Sequence, residues 1–250
     1  MTYIVFYVLI TLCNIIHGIT GFAGTVLAMP FSIMLVGYAT AKPVLNWLGL
    51  VAGVYVFVGN RQHVNWKELK KIVLVMAAGI LCGSFLKGFF IGTAREKVMY
   101  IALGLFIIGL SVNGLIKVFK PKKEETAVAK GKSSTLPNIL LASAGLVHGI
   151  FVSGGPLLIG YLTSRGVTDK TSFRATISTC WVFLNGLILA TELIGGDWSL
   201  ALAGTALIST PFMLVGMFIG GKLCAIMSQQ LFLKLTYVLL FISGFSLLIQ

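Results

Sequence analysis

The sequence predicts an all-α, polytopic membrane protein, and three observations lead to that fold class. Hydrophobic residues make up 57% of the chain and charged residues only 10%, which is far from the balance of a soluble domain of 250 residues. Apolar stretches that are long enough, or nearly long enough, to cross a bilayer recur along the whole chain. A His-Gly pair followed by small residues also occurs twice, as IIHGITGFAG at 15–24 and LVHGIFVSGG at 146–155.

Charge and cysteine content exclude several other classes of protein. The net charge is +12, but the basic residues fall between apolar stretches, which argues against a nucleic-acid partner. The four cysteines lie inside apolar stretches without a C-x-x-C pair, so neither a disulfide framework nor a metal site is predicted. A membrane enzyme would need a nucleophile with a base, or a metal set, and no H-E-x-x-H or G-x-S-x-G motif is present. We expect a protein that is not an enzyme and needs no cofactor.

A charged stretch, FKPKKEETAVAKGKSSTLP, divides the chain near its middle and is predicted to be a solvated cytoplasmic linker. The predicted organisation is a first membrane repeat at 1–118, the linker at 119–136 and a second membrane repeat at 137–250. Each repeat holds five apolar segments. They lie roughly at 3–17, 24–38, 43–59, 70–90 and 97–118, and at 137–150, 155–164, 172–192, 199–221 and 231–249.

Corresponding residues in the two halves indicate an internal duplication. His17 corresponds to His148, and Gly83 corresponds to Gly216 at nearly the same spacing. The second segment of each half is shorter than the about 20 residues of an untilted span, so both are predicted to be broken or re-entrant helices. The start, MTYIVFYVLI, lacks a basic n-region and leads to no cleavage site, and it is taken as the first membrane segment.

The distribution of Lys and Arg predicts the orientation of the chain in the membrane. With a cytoplasmic linker and every segment pair counted as out and back, 15 of the 19 basic residues lie inside and 4 lie outside. An odd number of segments per repeat makes the two repeats inverted, and both termini then face outward. The alternative merges each short pair into one span, which gives two parallel four-span halves and leaves more basic residues outside.

Glycines interrupt the helices at both His-Gly motifs. They let the backbone unwind at membrane depth, where the freed amides need a cavity, water or a ligand. Thr25 and Pro156 follow the breaks and are expected as first residues of new helices, whose N-termini favour an anion. The alternative is that the glycines only permit close helix packing. The glycines proposed to bind substrate are Gly21, Gly24, Gly154 and Gly155.

Ionisable side chains within the apolar segments also favour an anion over a cation. Glu192 is the only carboxylate candidate there, and it lies at a segment end. Arg174 lies near the start of the hydroxyl-rich TSFRATISTCW, and its counterpart in the first half is Lys42. A guanidinium offers a planar fork to an oxyanion, and an ammonium offers a point charge. The alternative for Arg174 is that it reaches the cytoplasmic interface as a topology signal.

Further candidates lie beside the two breaks. Ser153 and Ser178 offer hydroxyl groups to a substrate, and Phe22 is a candidate for gating the cavity, with core packing as the alternative. His17 and His148 are candidates for proton coupling, because ionisable groups within a membrane are costly. The alternative is a neutral imidazole that is hydrogen-bonded to a neighbouring helix.

Three stretches resemble the TauE/SafE sulfite-exporter family, within the TSUP group of membrane anion transporters. They are GITGFAGTVLAMP, GIFVSGGPLLIGYLTSRGVTDKTSFRATIST and GMFIGGKL, and the resemblance covers essentially all 250 residues. It implies a multi-pass carrier of the prokaryotic inner membrane that moves sulfite, sulfoacetate, other organosulfonates or related small carboxylates. Ala23 stands where many members have another Gly, and AKPVLNWLG replaces the Ala-Thr pattern that follows Arg174.

We therefore expect a secondary transporter that exports small sulfur-containing anions by alternating access. The alternatives are a proton- or sodium-coupled uptake permease for organic anions, and a passive anion channel. The expected partners are the small anion, the lipid bilayer and, for uptake, a coupling ion.

Overall fold

The structure of the protein is a computed structural model that describes residues 2–90, 94–119, 135–151 and 154–249. Each predicted apolar segment lies largely in a helix, and no strand occurs among these residues, so the all-α prediction is confirmed. The helices are α1 (Thr2–Thr20), α2 (Ala23–Val36), α3 (Tyr38–Asn60), the 3-10 turn η1 (Arg61–His63), α4 (Trp66–Phe90), α5 (Ala94–Phe119), α6 (Thr135–Phe151), α7 (Gly155–Ser164), α8 (Lys170–Ile194), α9 (Leu200–Ile226) and α10 (Gln229–Ile249). Most of the predicted linker, 120–134, lies outside the described residues.

Four helices in the described part of the chain are long and apolar enough to cross a membrane. They are α1, α3 extended through η1 to His63, α8 and α9, while α5 and α10 contain the shorter apolar stretches Gly104–Ile116 and Gln229–Phe245. Large apolar side chains on several helices are exposed, such as Phe85 and Leu200. Exposed apolar side chains along helices suit contact with lipid, as a polytopic membrane protein requires.

Local sequence signals fix where the helices of the second half begin. Asp169 caps α8, because its carboxylate accepts hydrogen bonds from the amides of Thr171 at 3.1 Å and Ser172 at 2.8 Å. Ser199 caps α9 in the same way by accepting from the Leu202 amide at 3.2 Å. These side chains satisfy amide groups that have no partner inside the helix, and each such cap stabilises a helix by about 0.5–2 kcal/mol.

The chain forms two compact units, each of which combines helices from both halves of the sequence. The first unit is Met1–Leu74 with Asp169–Ser228, and the second unit is Val75–Thr168 with Gln229–Gln250. In the first unit α1 packs on α2 and α9, and α3 packs on α2, α8 and α9. In the second unit α5 packs on α10, and α7 packs on α6 and α5. The predicted repeats at 1–118 and 137–250 concern sequence similarity and stay a prediction.

Glycines bring two pairs of helices into close contact. In the first unit, a Cβ at Gly18 of α1 would lie 2.8 Å from the carbonyl oxygen of Met217 in α9. In the second unit, a Cβ at Gly149 of α6 would meet the backbone of Ile80 in α4, with the Cα of Ile80 at 2.8 Å. If Gly83 is equivalent to Gly216, the residue of α9 that is equivalent to Ile80 of α4 is Met213. The residue of α9 that makes the equivalent contact is instead Met217, which lies four residues, or about one helical turn, further along.

Candidate functional site

The first break lies between α1 and α2 and depends on Gly21. This residue has φ +84°, and a Cβ there would lie 2.7 Å from Oγ of Ser178. The hydroxyl of Thr20 accepts a hydrogen bond from the Ala23 amide at 3.3 Å. Because this cap satisfies an early amide, α2 begins at Ala23, and the expectation that the new helix begins at Thr25 is wrong by two residues.

Helix α8 holds the break in place through the carbonyl oxygen of Gly21. The indole N–H of Trp181 donates to this oxygen at 3.1 Å, and the hydroxyl of Ser178 donates to it at 3.4 Å. The two side chains are three residues apart, so they lie on the same face of α8. Ser178 thus lies at the break as the sequence predicted, and Trp181 joins it there.

Arg174 places a buried guanidinium at the carbonyl oxygen of Gly18, just before the first break. Its side chain is 9% exposed, and its Nε donates to the carbonyl oxygen of Gly18 at 2.6 Å. A Cβ at Gly221 of α9 would lie 3.4 Å from its Nη2. Among the described residues no Asp or Glu lies within ion-pair distance of Arg174. The two terminal nitrogens of the guanidinium therefore keep donors for a ligand.

His17 adds an unpartnered polar side chain to the same break. It is 1% exposed, and neither ring nitrogen has a hydrogen-bond partner in the described part of the chain. A Cβ at Gly24 would lie 2.8 Å from its Nδ1, so the imidazole packs against the first turn of α2. Buried polar groups nearly always have a partner, and an orphaned imidazole therefore suggests a water or ligand beside it.

The start of α2 packs against the imidazole of His17, and its first amides donate to the hydroxyl of Thr20. Phe22 is the N-cap residue and makes no capping hydrogen bond through its side chain. Phe22 and Gly24 are buried, and Thr25 is half-buried. The first unit thus brings together a helix N-terminus, the guanidinium of Arg174 and an uncommitted imidazole, which are groups that bind an anion.

The second break lies in the other unit and is built differently. Helix α6 ends at Phe151 and α7 begins at Gly155. Pro156 was predicted to be the first residue of this helix and is its second. The amide of Gly154 donates to Nδ1 of His148 at 3.3 Å, and both residues are buried. Pro156 suits the first turn of a helix because its missing N–H would have no partner there. The predicted candidate Ser153 lies outside the described residues.

Lys42 lies at the opposite end of the α3 and α8 pair from Arg174. Its ammonium is 3.3 Å from a carboxylate oxygen of Glu192, which lies near the end of α8. Arg174 and Glu192 are separated by about five turns of this helix, which corresponds to about 27 Å along its axis. The structure therefore does not bring Lys42 together with Arg174, Gly21 and Ser178.

Two contributors to the polar contacts were missed in the sequence. Thr20 caps α2, and Trp198 donates from its indole to the second carboxylate oxygen of Glu192 at 3.3 Å. Thr20 lies two residues before the N-cap position at Phe22, where no capping signal is expected, and the contact of Trp198 depends on the turn after α8. Within the described chain no group of three or more His, Cys, Asp or Glu side chains is placed to hold a metal ion.

The fold and this site define a multi-pass, helical membrane protein with a positively charged helix break. The family model for the sulfite exporter TauE/SafE matches residues 6–247, nearly the whole chain, and the chain belongs to this family. Membership implies a membrane exporter of sulfite or a related anion. Comparison with the curated proteins and with the solved structures found no significant match.

Proposed function

We propose that the protein is a secondary transporter that exports sulfite, sulfoacetate or another organosulfonate across the cytoplasmic membrane by alternating access. The observation that carries this proposal is the buried guanidinium of Arg174, which has no carboxylate partner among the described residues and lies beside the first helix break. In the proposal Arg174 and the start of α2 bind the anion. The lining residues are Gly21, Phe22, Gly24, Thr25 and Ser178.

Burial of an unpaired charge is costly, and this cost supports an anionic ligand at Arg174. A buried ion without a partner loses several kcal/mol of solvation, which an oxyanion at the guanidinium offsets. Nε is already committed to Gly18, so the terminal nitrogens are the donors that remain for two oxygens of one sulfonate or sulfite. The second unit carries its own break, where we propose Ser153, Gly154 and Gly155 as substrate-binding residues of that unit.

The direction of transport follows from the charge of the substrate. An anion that leaves a cell with an inside-negative potential gains about 2.3 kcal/mol per unit charge per 100 mV. Export therefore needs no coupling ion, whereas uptake does. We propose a cytoplasmic linker and termini that face outward, an arrangement that places most basic residues inside.

Proton-coupled uptake is a second candidate, and the unpartnered ring nitrogens of His17 favour it. A coupling histidine exchanges a proton during the cycle, so the rate of transport should depend on pH through His17. In proteoliposomes, His17→Gln should then flatten this pH dependence, while an unchanged profile would remove His17 from coupling. A passive channel would differ from both by a flux that does not saturate with substrate.

The first test is thermal unfolding of the purified protein in detergent with sulfite, organosulfonates, carboxylates and phosphate. A ligand at 100 times its Kd stabilises the folded state by about 2.7 kcal/mol. We expect sulfite or a sulfonate to raise the Tm of the wild type but not of Arg174→Ala. The matched control is Arg61→Ala, which removes an exposed arginine from the same unit and should keep the shift. An equal shift in Arg174→Ala would exclude this site.

A further inference from the structure

The carboxylate of Glu192 is held in the first unit by two donors of different kinds. The ammonium of Lys42 lies 3.3 Å from Oε1, and the indole N–H of Trp198 donates to Oε2 at 3.3 Å. Trp198 is positioned by an edge-on contact with the ring of Trp47, whose own N–H donates to Thr210 at 3.1 Å. One oxygen per donor is the pattern in which a protein binds a small oxyanion.

The donors at this end resemble those at the first break. The break has a guanidinium, Arg174, near the start of α8 and, about two turns further along, an indole, Trp181, whose N–H donates to the carbonyl oxygen of Gly21. The opposite end has an ammonium, Lys42, and an indole, Trp198. The two ends of α8 differ in one respect. Among the described residues, a carboxylate, that of Glu192, lies beside Lys42, and none lies beside Arg174.

We propose that Lys42 and Trp198 form a second oxyanion subsite, which in this structure is filled by the chain's own Glu192 carboxylate. Its ligand is a small anion with a sulfonate, sulfite or carboxylate group, because each of these groups presents oxygen acceptors to Lys42 and Trp198, as Glu192 does. This subsite rests on the proposed function, since it is a further station for the anion that Arg174 binds.

The exposure of Lys42 and its remaining N–H donors support exchange of the carboxylate for a ligand. The side chain of Lys42 is 21% exposed and that of Glu192 only 5%, so Lys42 is the more accessible partner of the pair. An ammonium has three N–H donors, and the pair with Glu192 uses one of them. The remaining N–H donors of Lys42 are therefore the groups that an incoming anion binds.

The carboxylate of Glu192 and a free anion compete for Lys42, and this competition sets the affinity of the subsite for the anion. A free anion reaches Lys42 only when Glu192 swings away, so the apparent affinity of the subsite is its intrinsic affinity multiplied by the fraction of molecules in which the pair is open. Removal of the charge of Glu192 leaves the amide oxygen as a weaker competitor. The anion should then bind at Lys42 as a second equivalent per chain.

Calorimetric titration of the purified full chain with methanesulfonate and with sulfite tests the subsite. Glu192→Gln should bind one more anion per chain than wild type, or bind at Lys42 about tenfold more tightly. Arg174→Gln should bind one anion fewer than wild type, the double variant Arg174→Gln/Glu192→Gln should regain it, and addition of Lys42→Gln should abolish this gain again. Asp197→Asn is the matched control, because it removes an exposed negative charge five residues away and should leave binding as in wild type.

The outcomes separate this subsite from the proposed function. If Glu192→Gln and its double variant bind no more anion than the corresponding backgrounds, the subsite is overturned whatever Arg174 does. If wild type binds no anion but Glu192→Gln binds one that requires Lys42, the site at Arg174 fails and the subsite stands. Should Glu192→Gln not fold, Glu192→Asp shortens the tether, and a smaller gain that Lys42→Gln abolishes is expected; no gain would contradict the subsite.

Discussion

The two helix breaks share a His-Gly motif but satisfy their exposed amides in different ways. At the first break the hydroxyl of Thr20 accepts from the Ala23 amide, and at the second break Nδ1 of His148 accepts from the Gly154 amide. In the register that pairs His17 with His148, Gly154 corresponds to Ala23 and Phe151 corresponds to Thr20. Phenylalanine has no acceptor, so the second break uses its histidine where the first uses a hydroxyl.

Because of this difference, the two histidines have different roles. His148 stabilises a local turn within its own motif, whereas His17 has both ring nitrogens without a partner in the described chain. The first break also has Arg174 on the carbonyl oxygen of Gly18. The comparison teaches that the first break is the better candidate for anion binding, although both arise from one sequence pattern.

The largest effect on the first break is expected from Gly21→Ala. A side chain at φ +84° costs about 1–3 kcal/mol, and the clash of a Cβ with Ser178 adds about 1–3 kcal/mol. The free energy of unfolding in detergent should fall accordingly, and anion binding should be lost. Gly59→Ala is the control, because a Cβ there meets nothing within 4 Å, and this variant should be as stable as wild type or more so. Equal stability of both variants would show that the break does not depend on Gly21.

Replacement of each histidine by leucine compares the structural roles of His148 and His17. His148→Leu leaves the buried Gly154 amide without its acceptor, which costs about 1–3 kcal/mol. His17→Leu removes no hydrogen bond seen in the described chain, so it should lower the free energy of unfolding less. Chemical unfolding monitored by tryptophan fluorescence measures both. A larger loss in His17→Leu would contradict the assigned roles.

A smaller effect is expected from Thr20→Val, which removes the capping hydroxyl at nearly constant volume. Loss of this cap should lower the free energy of unfolding by about 0.5–2 kcal/mol. The Ala23 amide should then take Nδ1 of His17, as the second break does with His148, and the imidazole nitrogen signals in NMR report this change. Thr205→Val is the control, because the hydroxyl of Thr205 donates within its own helix and caps no helix start. Unchanged signals for His17 would mean that Thr20 does not decide its state.

Much of the fold follows from sequence, because apolar length and glycine content are local signals. The ten predicted segments lie largely in helices, and both breaks lie where the motifs place them. The predicted segment 155–164 coincides with α7, but Thr25 and Pro156 were expected as first helical residues, and the helices begin two residues and one residue earlier, at Ala23 and Gly155.

Contacts between distant residues were beyond the sequence. Lys42 and Glu192 lie in different halves of the chain, and only the packing of α3 on α8 makes them an ion pair. Charge alone suggested that Lys42 and Arg174 are alike, but the structure pairs one with a carboxylate and leaves the other without one in the described chain. The equivalent contacts of α4 and α9 differ by one helical turn from the sequence alignment of the two halves. This could be seen only from the backbone atoms that Gly18 and Gly149 contact.

The central claim is that Arg174 binds the transported anion, and sulfite efflux from proteoliposomes tests it most directly. Initial rates are measured at rising internal sulfite with an inside-negative potential, for wild type, Arg174→Gln and the control Arg61→Gln. The account predicts saturable efflux in wild type and Arg61→Gln, and a rate in Arg174→Gln that is close to that of empty liposomes. Saturable efflux in Arg174→Gln with the wild-type KM and maximal rate would contradict it.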